Sequence, residues 1–398
     1  MNRFNYGFSV PVIAGAVLLC SCSANLGPET LPSTTPYTEP SISIETEPEE
    51  TEETLPPETT EPASSAVITD KIVEKNGRLA IDGSNIVNSE GEKVVLKGIT
   101  SFGIQNCEGF FTFETVKTLA EDWGCDVIRI AVNGDVNSNG YIKEPDKYFD
   151  MVCKICDLCV DQGIYVIVDW NVCYLEDYDE NKESAVDFFT RLSAIYSESP
   201  NVLYEINNDP LLPEEIEEDT DEWDDIIKPF VTDVIDALRE NAPDSLIIVG
   251  TPERGQGVDI ASDDELDYDN IAYACRFFTG SQGDELKEKI EEALDNEVCV
   301  FVTELGFCND QKLGGVYYTA SGSWLEFLSA NQISWCNYAI GNDLTNDANA
   351  LKLYSDLYTD EQKAGHWPDG MLTGSGSYAR DQILKADETE PSEEETDE

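Results

Sequence analysis

Eight apolar segments of strand length alternate with helical patterns between residues 94 and 340. The strand segments are residues 94–101, 127–132, 165–171, 201–207, 246–251, 271–278, 299–304 and 333–340. Helical spacing of apolar residues falls between them, as in Phe113–Trp123, Pro145–Asp161, Ser184–Tyr196 and Trp223–Glu240. Strands that alternate with helices form parallel sheets, and eight such units close into a barrel. The alternation therefore predicts an α/β fold, a (β/α)8 TIM barrel.

The sequence on either side of the barrel sets its boundaries. Residues 79–81 and 86–88 flank Asp82-Gly83, a pair typical of hairpin turns, and predict an N-terminal β-hairpin. Residues 379–385 have the spacing of a closing helix. We expect the barrel domain to span residues 67–386, between a disordered linker at 23–66 and a disordered acidic tail at 387–398.

The chain is strongly acidic. Its 398 residues include 81 Asp and Glu but only 24 Lys and Arg, which gives a net charge of −57. Residues 29–61 hold ten acids and no base. Because this Thr-, Glu-, Pro- and Ser-rich linker cannot bury enough apolar surface to fold, we interpret it as an extended, disordered acidic stalk. The negative field disfavours nucleic acids as partners and does not affect neutral polysaccharides.

The N-terminus has the pattern of a bacterial lipoprotein signal peptide over residues 1–22. Arg3 precedes an apolar stretch from Val10 to Leu19, which is too short to span a membrane. Leu19-Cys20-Ser21-Cys22 resembles a lipoprotein cleavage site, with Cys22 as the acylated residue. We expect a lipid-anchored monomer on the extracellular face of the bacterial cell membrane. The alternative is an ordinary secretory signal and a secreted protein.

Two carboxylates are predicted at the mouth of the barrel, where barrel enzymes place their catalytic groups. Glu304 lies at the end of one predicted strand, separated by Thr303 from the apolar run Cys299–Val302. Asp209 follows the predicted strand at 201–207. Two acids that face one another are what glycoside hydrolysis requires, one as acid and one as nucleophile or base. The alternative is that Glu304 only caps the turn that follows it.

Other polar and aromatic residues near the predicted strand ends are candidates for binding a sugar. Arginine can hold a carboxylate ionised, and an aromatic ring can stack on a sugar. The predicted substrate-binding residues are Arg129, Asn171, Asn208, Arg276, Phe278 and Trp335.

Several segments resemble glycoside hydrolase family 5, in its cellulase or endoglucanase-like branch. They are Val94–Gly98, Val127–Arg129, Gly163–Trp170, Asn201–Ile206, Ile247–Thr251, Phe301–Glu304 and Ile333–Asn337. The resemblance implies a retaining mechanism with Glu304 as nucleophile, residue 209 as acid/base and Asn208 near a substrate hydroxyl. It also implies a neutral β-linked glucan as substrate, with no required cofactor.

Five positions depart from the family pattern. Histidine is usual where this chain has Phe102, Asn171 and Arg276; glutamate is usual at Asp209 and tyrosine at Phe278. Aspartate withdraws the acid by roughly 1.5 Å, and a misplacement of about 1 Å can cost around 10²-fold in rate. We therefore expect hydrolysis to be weak or lost. An inactive glycan-binding pseudoenzyme and a cell-surface adhesin or scaffold remain alternatives.

Two motifs suggest metal sites. Asp135, Asn137, Asn139 and Asp146 have the spacing of a calcium-binding loop, although a strand precedes them and an ordinary barrel loop is the alternative. The cysteines at 153, 156 and 159 have iron–sulfur or zinc spacing but lie in a helical apolar pattern. We interpret these cysteines as small buried apolar residues.

Overall fold

The computed structural model of the protein describes residues 71–101, 103–134, 140–172, 175–208, 220–341, 346–352 and 359–385, with the backbone alone at 175–181. The strands in these ranges are β1 Ala80–Asp82, β2 Asn85–Val87, β3 Lys97–Ser101, β4 Val127–Asn133, β5 Tyr165–Asn171, β6 Val202–Asn208, β7 Ile247–Gly250, β8 Ile271–Phe278, β9 Val300–Gly306 and β10 Trp335–Ile340. Strands β1 and β2 form an antiparallel hairpin. The other eight close a parallel barrel in the order β10-β3-β4-β5-β6-β7-β8-β9.

Helices lie before, between and after the barrel strands. They are α1 Ile72–Asn76, α2 Phe113–Lys117, α3 Pro145–Gln162, α4 Leu175–Tyr196, α5 Lys228–Arg239, α6 Pro252–Gly255, α7 Val258–Asp263, α8 Asp284–Asp295, α9 Tyr318–Ala330, α10 Asp360–Lys363 and α11 Gly374–Ile383. Wider π-helical turns, Thr118–Asp122 and Glu222–Ile227, extend α2 and precede α5. None of the helices in the described ranges is long and apolar enough to cross a membrane.

The structure confirms the predicted (β/α)8 barrel and its N-terminal hairpin. Each of the eight predicted strand segments overlaps one strand of the barrel. The signal peptide with Cys22, the linker and the acidic tail lie outside the described residues. The domain boundaries remain predictions.

Side chains alternate between the inside and the outside of the barrel. On β4, Val127 belongs to the cluster that fills the lower barrel interior, whereas Ile128 and Ile130 belong to the core between strands and helices. The hairpin residues Leu79 and Ile86 join the lower interior cluster. Because side chains alternate with a period of two, the next inward residue after Val127 is Arg129. A polar layer therefore lies directly above the apolar one.

The cysteine-rich segment forms part of α3 and packs as an ordinary amphipathic helix. Cys156 and Cys159 are fully buried in the outer core, and Cys153 packs against that core. Burial raises the pKa of Cys156 and Cys159 well above the usual range, so both are thiols. The interpretation of these cysteines as buried apolar residues is confirmed for Cys156 and Cys159, whereas Cys153 is partly buried.

Candidate active site

Arg129, in the middle of β4, joins acids from three other strands. It is fully buried. Its Nε and Nη2 donate to the two oxygens of Glu205 on β6, at 2.5 and 3.1 Å. Nη2 lies 3.0 Å from Asp169 Oδ2 on β5, and Nη1 donates to Glu304 Oε1 on β9 at 2.8 Å. Burial alone would lower the pKa of Arg129, but the three acids raise it above its usual value.

Glu304 receives hydrogen bonds on both carboxylate oxygens. Oε1 accepts from Arg129 and, at 3.3 Å, from Asn208 Nδ2. Oε2 accepts from Arg276 Nη1 at 3.2 Å. Burial would raise the pKa of Glu304, but Arg276, Arg129 and Lys312 lower it below its ordinary value of 4.5. Glu304 is therefore an ionised carboxylate, and its side chain is 12% exposed.

The ends of β5 and β6 place two predicted asparagines side by side. Asn171 and Asn208 are partners in the register of these strands. Asn208 donates to both Asp169 and Glu304, at 3.3 Å in each case, and so connects the Arg129 network to the mouth. Asp209, the predicted acid, and Phe102 lie outside the described residues.

Strand β8 brings Arg276 and Phe278 to the mouth beside Glu304. Arg276 is 11% exposed, and its Nη2 donates to the carbonyl of Arg254 at 3.4 Å. The Phe278 ring packs against Gly306 on β9, where an added Cβ would be 2.1 Å from the ring atom Cδ1. The ring thus occupies space beside the carboxylate but offers it no hydroxyl.

The prediction that Trp335 lies at the C-terminal end of its strand is wrong. Trp335 is the first residue of β10, is 3% exposed, and packs in the outer core against Phe307. Tyr338 stands nearer the mouth. Its hydroxyl accepts from Lys312 Nζ at 2.9 Å, and its ring meets that of Phe278 edge-on at 5.8 Å. Tyr338 is 7% exposed, and Lys312 Nζ lies over its ring, 4.7 Å from the ring centre, so this aromatic face is covered.

Sequence reasoning missed the two acids below Glu304. Asp169 and Glu205 interrupt the buried apolar runs of β5 and β6, and both are fully buried. Buried acids are almost always paired, so Arg129 could have been assigned to them from the sequence. Burial raises the pKa of Asp169 well above its usual range, although Arg129 opposes the shift. Asp169 Oδ1 has no hydrogen-bond partner among the described residues.

The metal predictions receive no support from the described residues. Asp135, Asn137 and Asn139 lie outside them, whereas Asp146 is 92% exposed in the first turn of α3 and lies 3.5 Å from Arg191. Within the described ranges, no group of three or more His, Cys, Asp or Glu side chains could hold a metal ion.

Comparison with known proteins identifies relatives of the barrel. The family model Cellulase (glycosyl hydrolase family 5) matches residues 87–344. An endoglucanase of Clostridium saccharobutylicum is 35% identical over 307 residues, which are 77% of this chain and 65% of that protein. Cellulase CelDZ1 of a Thermoanaerobacterium species is 31% identical over 324 residues, covering 79% of this chain and 80% of that cellulase.

A solved structure has the same barrel. The catalytic domain of Thermobifida fusca endoglucanase Cel5A, crystallised as a variant in complex with cellotetraose, aligns with a TM-score of 0.70 and 26% identity. The alignment covers 79% of this chain and 100% of that domain. This chain spans less than two thirds of the Clostridium relative's length. From the family match and the barrel together, we conclude that the chain belongs to glycosyl hydrolase family 5, the cellulase family.

Proposed function

We propose that the barrel mouth binds neutral β-linked glucan and that Glu304 and Asp209 support at most a slow retaining hydrolysis. The observation that carries this proposal is the hydrogen bonding of Glu304. Arg129 and Asn208 hold Oε1, so Oε2 is the oxygen left to attack a sugar, and Arg276 binds it. A carboxylate that is charge-paired on both oxygens is stabilised in its ground state and is a weaker nucleophile.

The polarity of the mouth supports a neutral ligand. Arg276 and Arg129 compensate Glu304, so a ligand meets ion pairs together with the partly exposed ring of Phe278. Aromatic faces with a polar edge suit the alternating apolar and hydroxyl surfaces of a sugar ring. Cellotetraose in the Thermobifida structure is a ligand of this class. Hydrolases of this family need no cofactor.

The proposal extends to the location of the protein. An acylated Cys22 followed by the acidic linker at 23–66 would hold the barrel away from the extracellular face of the cell membrane. The composition of both segments supports this arrangement.

The test compares binding with turnover in the same full-length chain. We expect soluble mixed-linkage β-glucan in a native gel to retard the protein. Reducing ends should appear at less than about 0.1 s⁻¹, some 10²-fold below a typical enzyme. Glu304→Gln should keep the retardation and lose the slow turnover. Glu288→Gln, which changes an exposed glutamate on α8, is the matched control.

Three results would contradict the proposal. Turnover of about 10 s⁻¹ would identify an ordinary endoglucanase. Slow turnover that survives Glu304→Gln would move the chemistry to another group. Absence of both retardation and turnover would favour the adhesin or scaffold alternative.

A further inference from the structure

The loop after β7 contains an unusual turn, which we call the 253–255 turn. Glu253, Arg254 and Gly255 all have positive φ angles, of 55°, 60° and 77°. Left-handed backbone is unfavourable for residues with a Cβ, and two of these three carry one. Such conformations persist where surrounding contacts impose them, and they cluster at functional sites.

Side chains from two other elements hold this turn. Glu222 Oε2 accepts from the backbone N–H of Glu253 at 3.0 Å. Lys289 on α8 pairs with the carboxylate of Glu253 at 2.5 Å and lies 3.5 Å from Asp259 Oδ1 on α7. The strained backbone is thus supported from the segment before α5 and from α8.

The turn faces Arg276. The carbonyl of Arg254 accepts from Arg276 Nη2 at 3.4 Å. Gly255 packs against the same side chain, because an added Cβ would lie 2.9 Å from Arg276 Nε and 3.2 Å from its Cγ. The other end of the guanidinium, Nη1, donates to Glu304. Arg276 is therefore held between the turn and the carboxylate.

We infer that the 253–255 turn is a positioning element that fixes Arg276 against Glu304, and that Glu222 acts through it. If Arg276 were only a chance replacement of a catalytic residue, no strained turn would be needed to hold its side chain in place. The inference deepens the proposed function and rests on it, since it explains how Glu304 is kept paired.

Glu222 is the remote end of this chain of contacts. Its Oε1 is buried with no hydrogen-bond partner among the described residues, so the N–H of Glu253 is the contact that the structure gives its carboxylate. Burial raises its pKa, although that N–H opposes the shift. An uncharged glutamine could accept the same hydrogen bond, whereas alanine could not.

The test measures how Glu304 contributes to stability as a function of pH, without any glycan. The free energy of unfolding in urea is measured from about pH 3 to 7, with and without Glu304→Gln, in the native chain and in each variant named below. The difference between the two curves is the contribution of Glu304. Because Arg276 lowers the pKa of Glu304, the native contribution is present above the ordinary pKa. It is lost as pH falls through the lowered pKa.

Arg129 and Lys312 also lower the pKa of Glu304 and stay in place. Gly255→Ala should displace the Arg276 guanidinium and remove the share of the contribution that Arg276 supplies, as Arg276→Ala should. Gly91→Ala is the matched control, since Gly91 has φ 81° and nothing within 4 Å of an added Cβ. Glu222→Ala should act in the same direction as Gly255→Ala, and Glu222→Gln should restore the native profile.

The inference is overturned if Arg276→Ala changes the profile but Gly255→Ala and Glu222→Ala do not. It is also overturned if Gly91→Ala changes the profile as much as Gly255→Ala does. If Gly255→Ala does not fold, the comparison of Glu222→Ala with Glu222→Gln decides. Glucan retardation is a separate assay, so failure of the proposed function remains distinguishable.

Discussion

Single residues at the barrel mouth carry the proposal that Glu304 is a weak nucleophile. Glu304 keeps its place on β9, ionised and near solvent. The Arg276 guanidinium donates to Oε2 of Glu304, and the ring of Phe278 packs against Gly306 on the same strand. Under the proposed function, these contacts keep the carboxylate ionised and lower its reactivity as a nucleophile.

The direction in which the side chain of Trp335 points could not be derived from the sequence. Residues 333–340 form a nearly continuous apolar run. The pattern therefore fits equally well whether the odd-numbered or the even-numbered residues face the barrel interior. The structure starts β10 at Trp335 and turns Cys336 into the barrel, so Trp335 faces the outer core. A shift of one residue reverses every side chain in a strand.

The two aromatics should respond differently to truncation. Trp335→Ala should lower the free energy of unfolding by about 3–5 kcal/mol, because it empties a buried site. Phe278→Ala, at a partly exposed ring on β8, should weaken glucan retardation by about fivefold, the loss of one aromatic contact. Tyr318→Ala, at an exposed tyrosine on α9, is the control for Phe278. If Trp335→Ala weakened glucan retardation and left the free energy of unfolding unchanged, this assignment would be contradicted.

At the scale of elements, the strands are joined inside the barrel by one buried cation. Arg129 on β4 contacts side chains of β3, β5, β6 and β9 through Thr100, Asp169, Glu205 and Glu304. The sequence indicated the strands and the importance of Arg129. It did not indicate the layer, because pairing between strands depends on register, which apolar patterning alone leaves open.

Removal of that cation should be severe. Arg129→Met removes the shared partner of three carboxylates, two of them fully buried, and we expect it to cost about 3–5 kcal/mol in the free energy of unfolding. Urea denaturation at pH 7 measures the loss. Glu304→Gln, which removes only the outermost of the three charges, should cost clearly less. Equal losses in the two variants would mean that Arg129 matters only to Glu304.

At the scale of the whole molecule, the sequence predicted more than the structure describes. The barrel and its hairpin followed from alternation of apolar segments, which depends on local pattern and chain connectivity. Asp209 and the termini lie outside the described residues, so the acid position and the anchor remain predictions. The net charge of −57 matches a neutral glucan better than a polyanionic one.

The anchor can be tested in cells. Cys22→Ala should abolish incorporation of an alkyne-labelled fatty acid and move the protein from the membrane fraction to the medium, since it removes the acylated residue. Cys20→Ala should leave both unchanged. Labelling that persists in Cys22→Ala would place the lipid elsewhere, and absence of labelling in the native chain would favour the secreted alternative.

The central claim is that Arg276 restrains Glu304 as a nucleophile. The most direct measurement is the first, pre-steady-state release of dinitrophenolate from 2,4-dinitrophenyl β-cellobioside, because that leaving group needs no proton and the attack by Glu304 therefore bypasses Asp209. We predict that Arg276→Ala releases it about tenfold faster than the native chain, the effect of one charged hydrogen bond. This gain should disappear in Arg276→Ala with Glu304→Gln. A native rate equal to or above that of Arg276→Ala would contradict the claim.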